Sequence, residues 1–191
     1  MNYNIIPVEV VKSITGATTD AVANAQGAAV VGMVQAYLGL VLVKQDFSDE
    51  KVPIAYEFQK IIHPKYAPIN AVTSVKVLTS DGTYTSSVSR LSVGEFVVEL
   101  LPTFWWGFPK AVLPAAVSGV EMSYNAGLYS TWTEIPGVIQ EALQELLKYK
   151  FAAGYAAGFH SEHLGDYSYT KGTLVRGLPV EIAGMLDGLN L

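Results

Sequence analysis

The residues best suited to chemistry are three histidines and the acids that lie near two of them. His160 and His163 lie three residues apart, with Glu162 between them and Asp166 just beyond. Imidazole and carboxylate groups bind zinc and similar divalent ions, and such an ion can activate water for hydrolysis. A catalytic metal site needs three convergent ligands. This segment is predicted to be a loop, which does not present its two histidines together as the face of a helix would. We therefore favour two surface histidines over a metal-dependent hydrolase, and we assign no metal ligand.

The sequence contains no other catalytic motif. His63 precedes Pro64 and has no acid or nucleophile near it along the chain. Residues 27–32 begin and end with glycine but lack the Lys-Ser/Thr pair of a phosphate-binding loop. The chain has no cysteine, which excludes disulfides, thiolate zinc sites and cysteine nucleophiles. We therefore predict no catalytic residue, no cofactor and no enzymatic activity.

The composition suggests that much of the surface is covered by something other than water. The chain has 191 residues, of which 50% are hydrophobic and 15% are charged, and its net charge is −5. In soluble domains about a quarter of the residues are usually charged. So few charges are typical of a protein that enters a membrane or packs against partner subunits. The acidic balance argues against a tightly bound nucleic acid, because phosphate neutralisation needs clustered Lys and Arg.

One uncharged stretch, residues 21–43, is long enough to span a bilayer. It contains Asn24, Gln26 and Gln35, however, and much of its apolar character comes from Ala and Gly. The residues that precede it lack the basic region of a signal peptide, so export by that route is not expected. We favour a helix buried in protein and keep a small membrane-associated protein as the alternative.

This same stretch predicts a helix over about residues 18–43, with Thr18, Thr19 and Asp20 available as caps. Small residues recur along one face of it, and they allow another backbone to approach closely. The helix is also apolar over most of its circumference, so it should be nearly surrounded by protein. Two interpretations stay open: a core helix of the chain, or a helix packed against a neighbouring copy. In the second case the candidate contacts are Ala25, Gly32 and Ala36.

Residues 45–125 predict an antiparallel sheet. Apolar residues alternate with others over residues 54–62, and a strand over 75–79 runs into the turn residues Asp81 and Gly82. Two more strands are predicted, over 95–101 and 120–125. The region thus forms a β-rich insertion after the first helix.

An aromatic segment over residues 102–109 interrupts this region, and its prolines and glycine predict irregular structure. The favoured interpretation is that its rings cover the core of the sheet. The alternative is a contact with a neighbouring subunit or another partner protein, because Trp and Phe are enriched at interface centres. The residues concerned are Phe104, Trp105, Trp106 and Phe108.

A second helix is predicted over about residues 135–157. Pro136 suits its first turn, and apolar residues recur at alternating four- and three-residue steps. Its last turns are rich in Ala and Gly, so Gly154 is a further candidate for a close helix contact. We therefore predict one α+β body over residues 1–158. An extended C-terminal tail follows over 159–191 and carries a short apolar anchor.

The second half of the chain resembles the head-to-tail connector, or adaptor, proteins of long-tailed bacteriophages. The resemblance rests on the strand over residues 120–125, the Ala126-Gly127-Leu128-Tyr129 segment, Ile135-Pro136, and the sequence over 161–168. In the family pattern the tyrosine follows the glycine directly, whereas here Leu128 intervenes. Residues 178–186 are similar to the usual family ending, so the resemblance covers about 117–191.

The resemblance implies a non-enzymatic virion protein that assembles in the host cytoplasm. It implies a ring, commonly of twelve subunits, that lies beneath the portal, extends the DNA channel and carries the stopper or tail. DNA would pass through the lumen without specific binding, and no membrane or cofactor is involved. The tail is the expected portal contact, because a segment that orders on docking can cover a large surface. The candidate residues are Tyr167, Tyr169, Leu174, Leu178, Ile182, Met185 and Leu186.

Overall fold

The structure is a computed structural model of the chain. It describes residues 4–53, 61–78, 84–86, 91–100, 103–105, 108–110, 119–152, 161–164, 167–170 and 174–189. The chain divides into two compact units. The helical unit comprises Met1–Val43 and Tyr129–Leu191, and the sheet unit comprises Lys44–Leu128.

The helical unit contains four α-helices among its described residues, together with one short 3₁₀ helix and two hairpins. The helices are α1 Val8–Thr15, α2 Asp20–Leu38, α3 Gly137–Phe151 and α4 Val180–Asp187, and the 3₁₀ helix is Trp132–Glu134. One hairpin pairs β10 Ser161–Leu164 with β11 Tyr167–Thr170. The other pairs β12 Leu174–Val175 with β13 Leu178–Pro179.

Local chemistry sets the ends of α2. The Thr19 side chain accepts a hydrogen bond from the backbone N–H of Val22, which satisfies one of the free donors of the first turn. Gly39 ends the helix with φ +70°, a conformation that glycine adopts without a steric penalty. The α2 helix therefore ends at Leu38, before the end at residue 43 that the hydrophobic pattern predicts.

The core of the helical unit lies where α3 packs against α1, α2 and α4. One side of α3 is fully buried, which agrees with the seam of apolar residues predicted for this helix. The buried hydrophobic residues of α2, α3 and α4 are Ala23, Val30, Val31, Val34, Tyr37, Ile139, Ala142, Leu143, Leu146, Leu147, Ile182, Ala183 and Leu186.

The described strands of the sheet unit are all antiparallel, in three separate sheets. The largest sheet has the order β1-β9-β3-β4, and β9, which β1 and β3 flank, is buried or half-buried along its length. The smaller sheets have the orders β2-β6-β5 and β7-β8. The strands are β1 Gln45–Pro53, β2 Ile61–Ile62, β3 Ile69–Leu78, β4 Tyr84–Ser86, β5 Leu91–Val93, β6 Val98–Leu100, β7 Thr103–Trp105, β8 Phe108–Lys110 and β9 Gly119–Ala126.

This mixture of helices and antiparallel sheet confirms the predicted α+β class. Antiparallel β3 and β4 flank the predicted turn, although Asp81 and Gly82 themselves lie outside the described residues, as does most of the strand predicted over 54–62. The second predicted helix is shorter than expected: α3 spans Gly137–Phe151, and the extended backbone of Ala152 ends it before residue 157.

Two segments differ from the expectation of irregular structure. The aromatic segment contains the paired strands β7 and β8, with Phe104 opposite Pro109. Proline is tolerated in such a strand because a two-stranded ribbon has edges whose backbone N–H groups need no partner. The segment that carries His163 is likewise not a loop, because β10 and β11 pair across it.

Candidate assembly surfaces

The α2 helix has one face in the core and an opposite face that is exposed. Ala25, Ala29 and Ala36 are exposed, and so is Val22 near the start of the helix. A methyl group added at Gly32 would meet nothing within 4 Å. Steps of three and four residues place these positions on one side of a helix. The three predicted helix contacts, Ala25, Gly32 and Ala36, therefore lie together on a small-residue face that points away from the core.

The C-terminal candidates separate into two groups. Leu178, Ile182 and Leu186 are buried in the helical unit, where α4 packs against α3. Leu174 is exposed and Met185 is half-buried, so these two are the side chains that a partner can reach. The tail is thus not wholly extended: its last part forms a hairpin and a helix, because its apolar side chains complete the core of the chain.

Tyr167 and Tyr169 lie on β11, opposite Leu164 and Glu162 of β10. The hairpin formed by these strands belongs to the helical unit. Their assignment to a portal contact stays a prediction.

A polar contact joins the C-terminal segment to α2. The Tyr37 hydroxyl donates a hydrogen bond of 2.6 Å to Oδ1 of Asp187. The Arg176 guanidinium lies 5.9 Å from the centroid of the Tyr37 ring, within the range of a cation–π interaction. The hydrogen bond to Asp187 is the main reason why the pKa of Tyr37 is raised. Sequence reasoning missed this contact because its partners are 150 residues apart.

The hairpin of β12 and β13 presents apolar and basic groups to solvent. Its turn residues, Arg176 and Gly177, have φ values of +47° and +86°. Positive φ at both central positions is typical of a tight type I′ turn. Leu174, Val175 and Arg176 are all exposed, whereas Leu178 on the paired strand is buried. Val175 lies opposite Leu178 and Leu174 lies opposite Pro179, so the two exposed apolar side chains are on opposite faces of β12. We call Leu174, Val175 and Arg176 together the basic hairpin surface.

The hairpin of β5 and β6 in the sheet unit presents apolar and acidic groups. The backbone N–H of Gly94 donates to the carbonyl of Val97 at 2.8 Å and closes the turn. The turn leaves Phe96 exposed beside the exposed Val93. Glu95 and Glu99 are also exposed. Val93 pairs with Val98 and Glu99 pairs with Ser92, so Val93 and Glu99 lie on opposite faces of the hairpin. We call the end of this hairpin, with Val93, Glu95, Phe96 and Glu99, the acidic hairpin surface.

The interior of the sheet unit is held by an aromatic and carboxylate cluster. The Tyr124 hydroxyl donates to a carboxylate oxygen of Glu50 and accepts from the Tyr66 N–H at 3.2 Å. The Phe47 ring stacks on Tyr66 and Tyr124, with centroid distances of 4.1 Å and 5.4 Å. Burial is the largest cause of a strongly raised pKa at Tyr124, followed by its hydrogen bond to Glu50. The cluster ties β1 to β9.

A buried acid on β9 is neutralised from β3. Glu121 is nearly buried, and the Lys76 Nζ lies 2.9 Å from its Oε1 and 3.9 Å from Oδ1 of Asp49. The hydrogen bond to Glu121 raises the pKa of Lys76. Because Glu121 is paired with Lys76, the pairing itself accounts for the buried carboxylate, and the cluster offers no free group for catalysis.

The aromatic candidates are only partly described. The backbone of Phe104, Trp105 and Phe108 lies in β7 and β8, whereas Trp106 lies outside the described residues. Gly154 also lies outside them. The choice between core and interface for these positions stays a prediction.

Among the described residues, no group of three His, Asp or Glu side chains could hold a metal ion. The metal hypothesis therefore gains no support from them. His160 and Asp166 lie outside that part of the chain. His63 is exposed. Among the described helices, including α2, none is long and apolar enough to cross a membrane.

Solved structures with a similar fold include chains of gene transfer agent (GTA) particles. A chain in the neck of an empty GTA particle, computed with C6 symmetry, aligns with a TM-score of 0.57 and 20% identity, over 82% of this chain and 84% of that one. A chain in the neck of a native GTA particle, computed with C12 symmetry, aligns with a TM-score of 0.55 and 20% identity, over 82% and 83%.

A chain from the virion of a native gene transfer agent (GTA) particle aligns with a TM-score of 0.59 and 17% identity, over 96% of this chain and 88% of that one. At these identities the likeness shows a shared fold. No protein-family model and no curated protein sequence matches the chain.

Proposed function

We propose that this chain is a structural neck protein of a phage-like particle. In this role it is an adaptor that forms a ring beneath the portal, extends the DNA channel and provides the platform for the stopper or tail. The observation that carries the proposal is the fold shared with neck chains of GTA particles over most of both chains. The adaptor resemblance of residues 117–191 supports the same role independently of that fold.

The outer face of α2 supports self-assembly. A single copy leaves Val22, Ala25 and Ala36 exposed on a helix that has no charged residue after Asp20. A neighbouring copy would cover this face, and its small residues would permit a close approach of two backbones. The neck structures computed with C6 and C12 symmetry are consistent with such a ring.

The portal contact is assigned to the parts of the C-terminal segment that solvent reaches. Leu178, Ile182 and Leu186 serve the core, so docking through them would require the helical unit to open. Leu174 and Met185 are accessible without that cost. The role of the segment is therefore to present a preformed surface to the portal.

The overall charge suits a conduit for DNA. The net charge of −5 gives weak repulsion of the phosphate backbone, so DNA would slide through the lumen without specific binding. A joining role needs no catalytic group. The ionisable clusters at Glu121 and at Tyr124 are accounted for by the stability of the sheet unit.

The full chain should be studied by native mass spectrometry and electron microscopy, alone and mixed with its cognate portal protein. We expect closed rings in the mixture at least. A chain that stays monomeric and also ignores the portal would overturn the proposal.

The contribution of α2 is tested by Ala29→Arg, which places a charge on the exposed face. We expect fewer rings with an unchanged unfolding temperature. Gln144→Arg on α3 is the matched control, because it adds the same charge to a half-exposed helix position that lies elsewhere. Equal effects of the two variants on ring formation would exclude α2 as a specific contact.

A further inference from the structure

The sequence contains two Asp-Gly pairs, Asp81-Gly82 and Asp187-Gly188. In such a pair the side-chain carboxyl group and the next backbone nitrogen react readily, because glycine has no Cβ to obstruct their approach. The reaction is intramolecular and closes a five-membered ring, so proximity favours it. Asp81 and Gly82 lie outside the described residues, whereas the surroundings of Asp187 and Gly188 are described. The second pair is therefore a candidate site of spontaneous covalent modification, which the adaptor role does not require.

The surroundings of this pair leave room for the reaction. Asp187 is the last residue of α4, and both Asp187 and Gly188 are exposed, so water reaches them. A methyl group added at Gly188 would meet nothing within 4 Å in the part of the chain that the structure describes. The ends of helices also open locally at a small cost in free energy. The pair is thus both chemically susceptible and sterically accessible.

Two hydrogen bonds hold the pair in its folded geometry. The Tyr37 hydroxyl donates a hydrogen bond of 2.6 Å to Oδ1 of Asp187. The backbone N–H of Leu189 donates to the carbonyl of Leu186 at 3.1 Å, across the pair. Ring closure requires the Asp187 side chain to turn towards the next backbone nitrogen and the backbone to leave the helical conformation. Both hydrogen bonds therefore oppose the reaction, and the one from Tyr37 engages the reacting carboxylate itself.

We propose that Asp187-Gly188 is a site of isoaspartate formation and that the Tyr37 hydroxyl slows the reaction. The backbone nitrogen of Gly188 attacks Cγ of the protonated Asp187 carboxyl group and forms a C–N bond that closes a succinimide ring. The amide proton and the carboxyl hydroxyl group leave as water. This step needs no reactant other than the chain itself.

One water molecule then opens the ring at either of its two carbonyl carbons. Cleavage of the bond between the nitrogen and Cγ restores aspartate. Cleavage of the bond between the nitrogen and the main-chain carbonyl carbon of Asp187 gives isoaspartate. One water molecule is lost and one is gained, so the overall change is an isomerisation.

Isoaspartate at this position would loosen the C-terminal helix. Its main chain passes through the former side chain and gains one methylene group, and its carboxylate is bonded directly to Cα. The carboxylate is therefore displaced, and the Tyr37 hydroxyl loses the acceptor that fastens α4 to α2. The modification is thus a slow route by which the C-terminal segment becomes less firmly held.

Hydrolysis in ¹⁸O-labelled water tests the assignment of the site. The full chain should be incubated at neutral pH, folded and unfolded in urea, until the unfolded chain has reacted. Opening of the succinimide places one ¹⁸O atom in the peptide that contains residue 187, and fragmentation in the mass spectrometer distinguishes isoaspartate from aspartate. We expect isoaspartate at residue 187 in the folded chain, formed more slowly than in urea. Its absence from the folded chain would overturn the proposal.

Tyr37→Phe tests the restraint, because it removes the hydroxyl and keeps the ring. Isoaspartate formation at residue 187 should accelerate about three- to tenfold, as expected for the loss of one hydrogen bond. Asp81-Gly82 in the sheet unit is an internal control whose rate should not change. An unchanged rate at residue 187 would overturn the role of Tyr37. An equal acceleration at both pairs would do the same, because it would indicate general unfolding.

Gly188→Ala is the matched variant that preserves the fold. Gly188 has a φ of −77°, which alanine adopts without strain, and the described surroundings leave space for the methyl group. The methyl group obstructs the approach of the nitrogen to Cγ, so most of the isoaspartate at residue 187 should be lost while the unfolding temperature stays the same. Isoaspartate formed at an unchanged rate would contradict the proposed chemistry.

Discussion

The Tyr37 hydroxyl, near the end of α2, donates a 2.6 Å hydrogen bond to Oδ1 of Asp187, the last residue of α4. The bond joins residues that are 150 positions apart and fastens the C-terminal helix to a helix that begins at Asp20. Arg176 lies over the ring of the same tyrosine. The position of the basic hairpin surface therefore depends on Tyr37.

This hydrogen bond predicts a change of stability at alkaline pH. The pKa of Tyr37 is raised from 10.0, chiefly because the hydroxyl donates to Asp187. A group whose pKa is higher in the folded state stabilises that state below the unfolded pKa and loses the effect as pH rises through the folded pKa. We expect Tyr37→Phe to be less stable than the original chain at neutral pH. The difference should shrink above about pH 10.

Urea denaturation at a series of pH values measures this difference. Asp187→Asn is the matched control, because an amide oxygen still accepts the hydrogen bond without a negative charge. The pH dependence of the stability of Asp187→Asn should lie between that of the original chain and that of Tyr37→Phe. A constant gap between the original chain and Tyr37→Phe from pH 7 to about pH 11 would contradict the assignment.

Two leucines of one hairpin should differ sharply in their effect on stability. Leu178 on β13 is buried, whereas Leu174 on β12 is exposed. Leu178→Ala should lower the free energy of unfolding by about 2–5 kcal/mol, because it removes buried methyl groups and leaves a cavity. Leu174→Ala, the matched control, should change it by at most about 0.5 kcal/mol. Chemical denaturation measures both, and similar losses would mean that the C-terminal segment is not packed as described.

Two glycines of α2 should respond in opposite ways to alanine. A methyl group at Gly27 would lie 2.8 Å from Cγ of Asn4, whose side chain donates to Asn24 and accepts from the Ile6 N–H. Gly27→Ala should displace that side chain and cost about 1 kcal/mol for each hydrogen bond lost.

At Gly32, by contrast, the added methyl group would meet nothing. Gly32→Ala should therefore stabilise the isolated chain by up to about 1 kcal/mol through helix propensity. Thermal denaturation at a protein concentration that favours monomers compares the two variants. A Gly27→Ala chain as stable as Gly32→Ala would disprove the close contact with Asn4.

The tyrosine of the sheet-unit cluster should matter through its hydroxyl. Tyr124→Phe keeps the ring stacked on Phe47 but leaves Glu50 without a donor and the Tyr66 N–H without an acceptor. We expect a loss of about 1–3 kcal/mol in the free energy of unfolding. Tyr129→Phe is a control in the other unit, and a smaller effect is expected there. Equal effects would mean that the Glu50 contact contributes nothing.

Several elements were predictable because their signals are local. Thr19 and Asp20 precede a long uncharged stretch, and the structure starts α2 at that place. Pro136 likewise precedes α3, whose buried residues recur with the predicted helical spacing. Capping and helix periodicity act over a few residues, so they are visible in the sequence without knowledge of the neighbours.

The C-terminal segment was predicted less well. Its glycines and proline favour an extended tail, yet β12, β13 and α4 are present. Ile182 and Leu186 were assigned to a portal, whereas both are buried in the chain itself. The sequence shows that an apolar side chain is suited to burial, but not whether α3 or another protein buries it. The reason is that the hydrophobic effect is non-directional.

The sequence by itself determined the α+β class, the existence of α2 and α3 and the small-residue face that includes Gly32, because hydrogen bonding and side-chain spacing are short-range. Only the tertiary structure decided which apolar groups stay exposed. It buried Leu178 and left Leu174 outside, and it brought Tyr37 to Asp187. Those choices depend on helices and strands that are distant along the chain, so the local signals of the sequence do not reveal them.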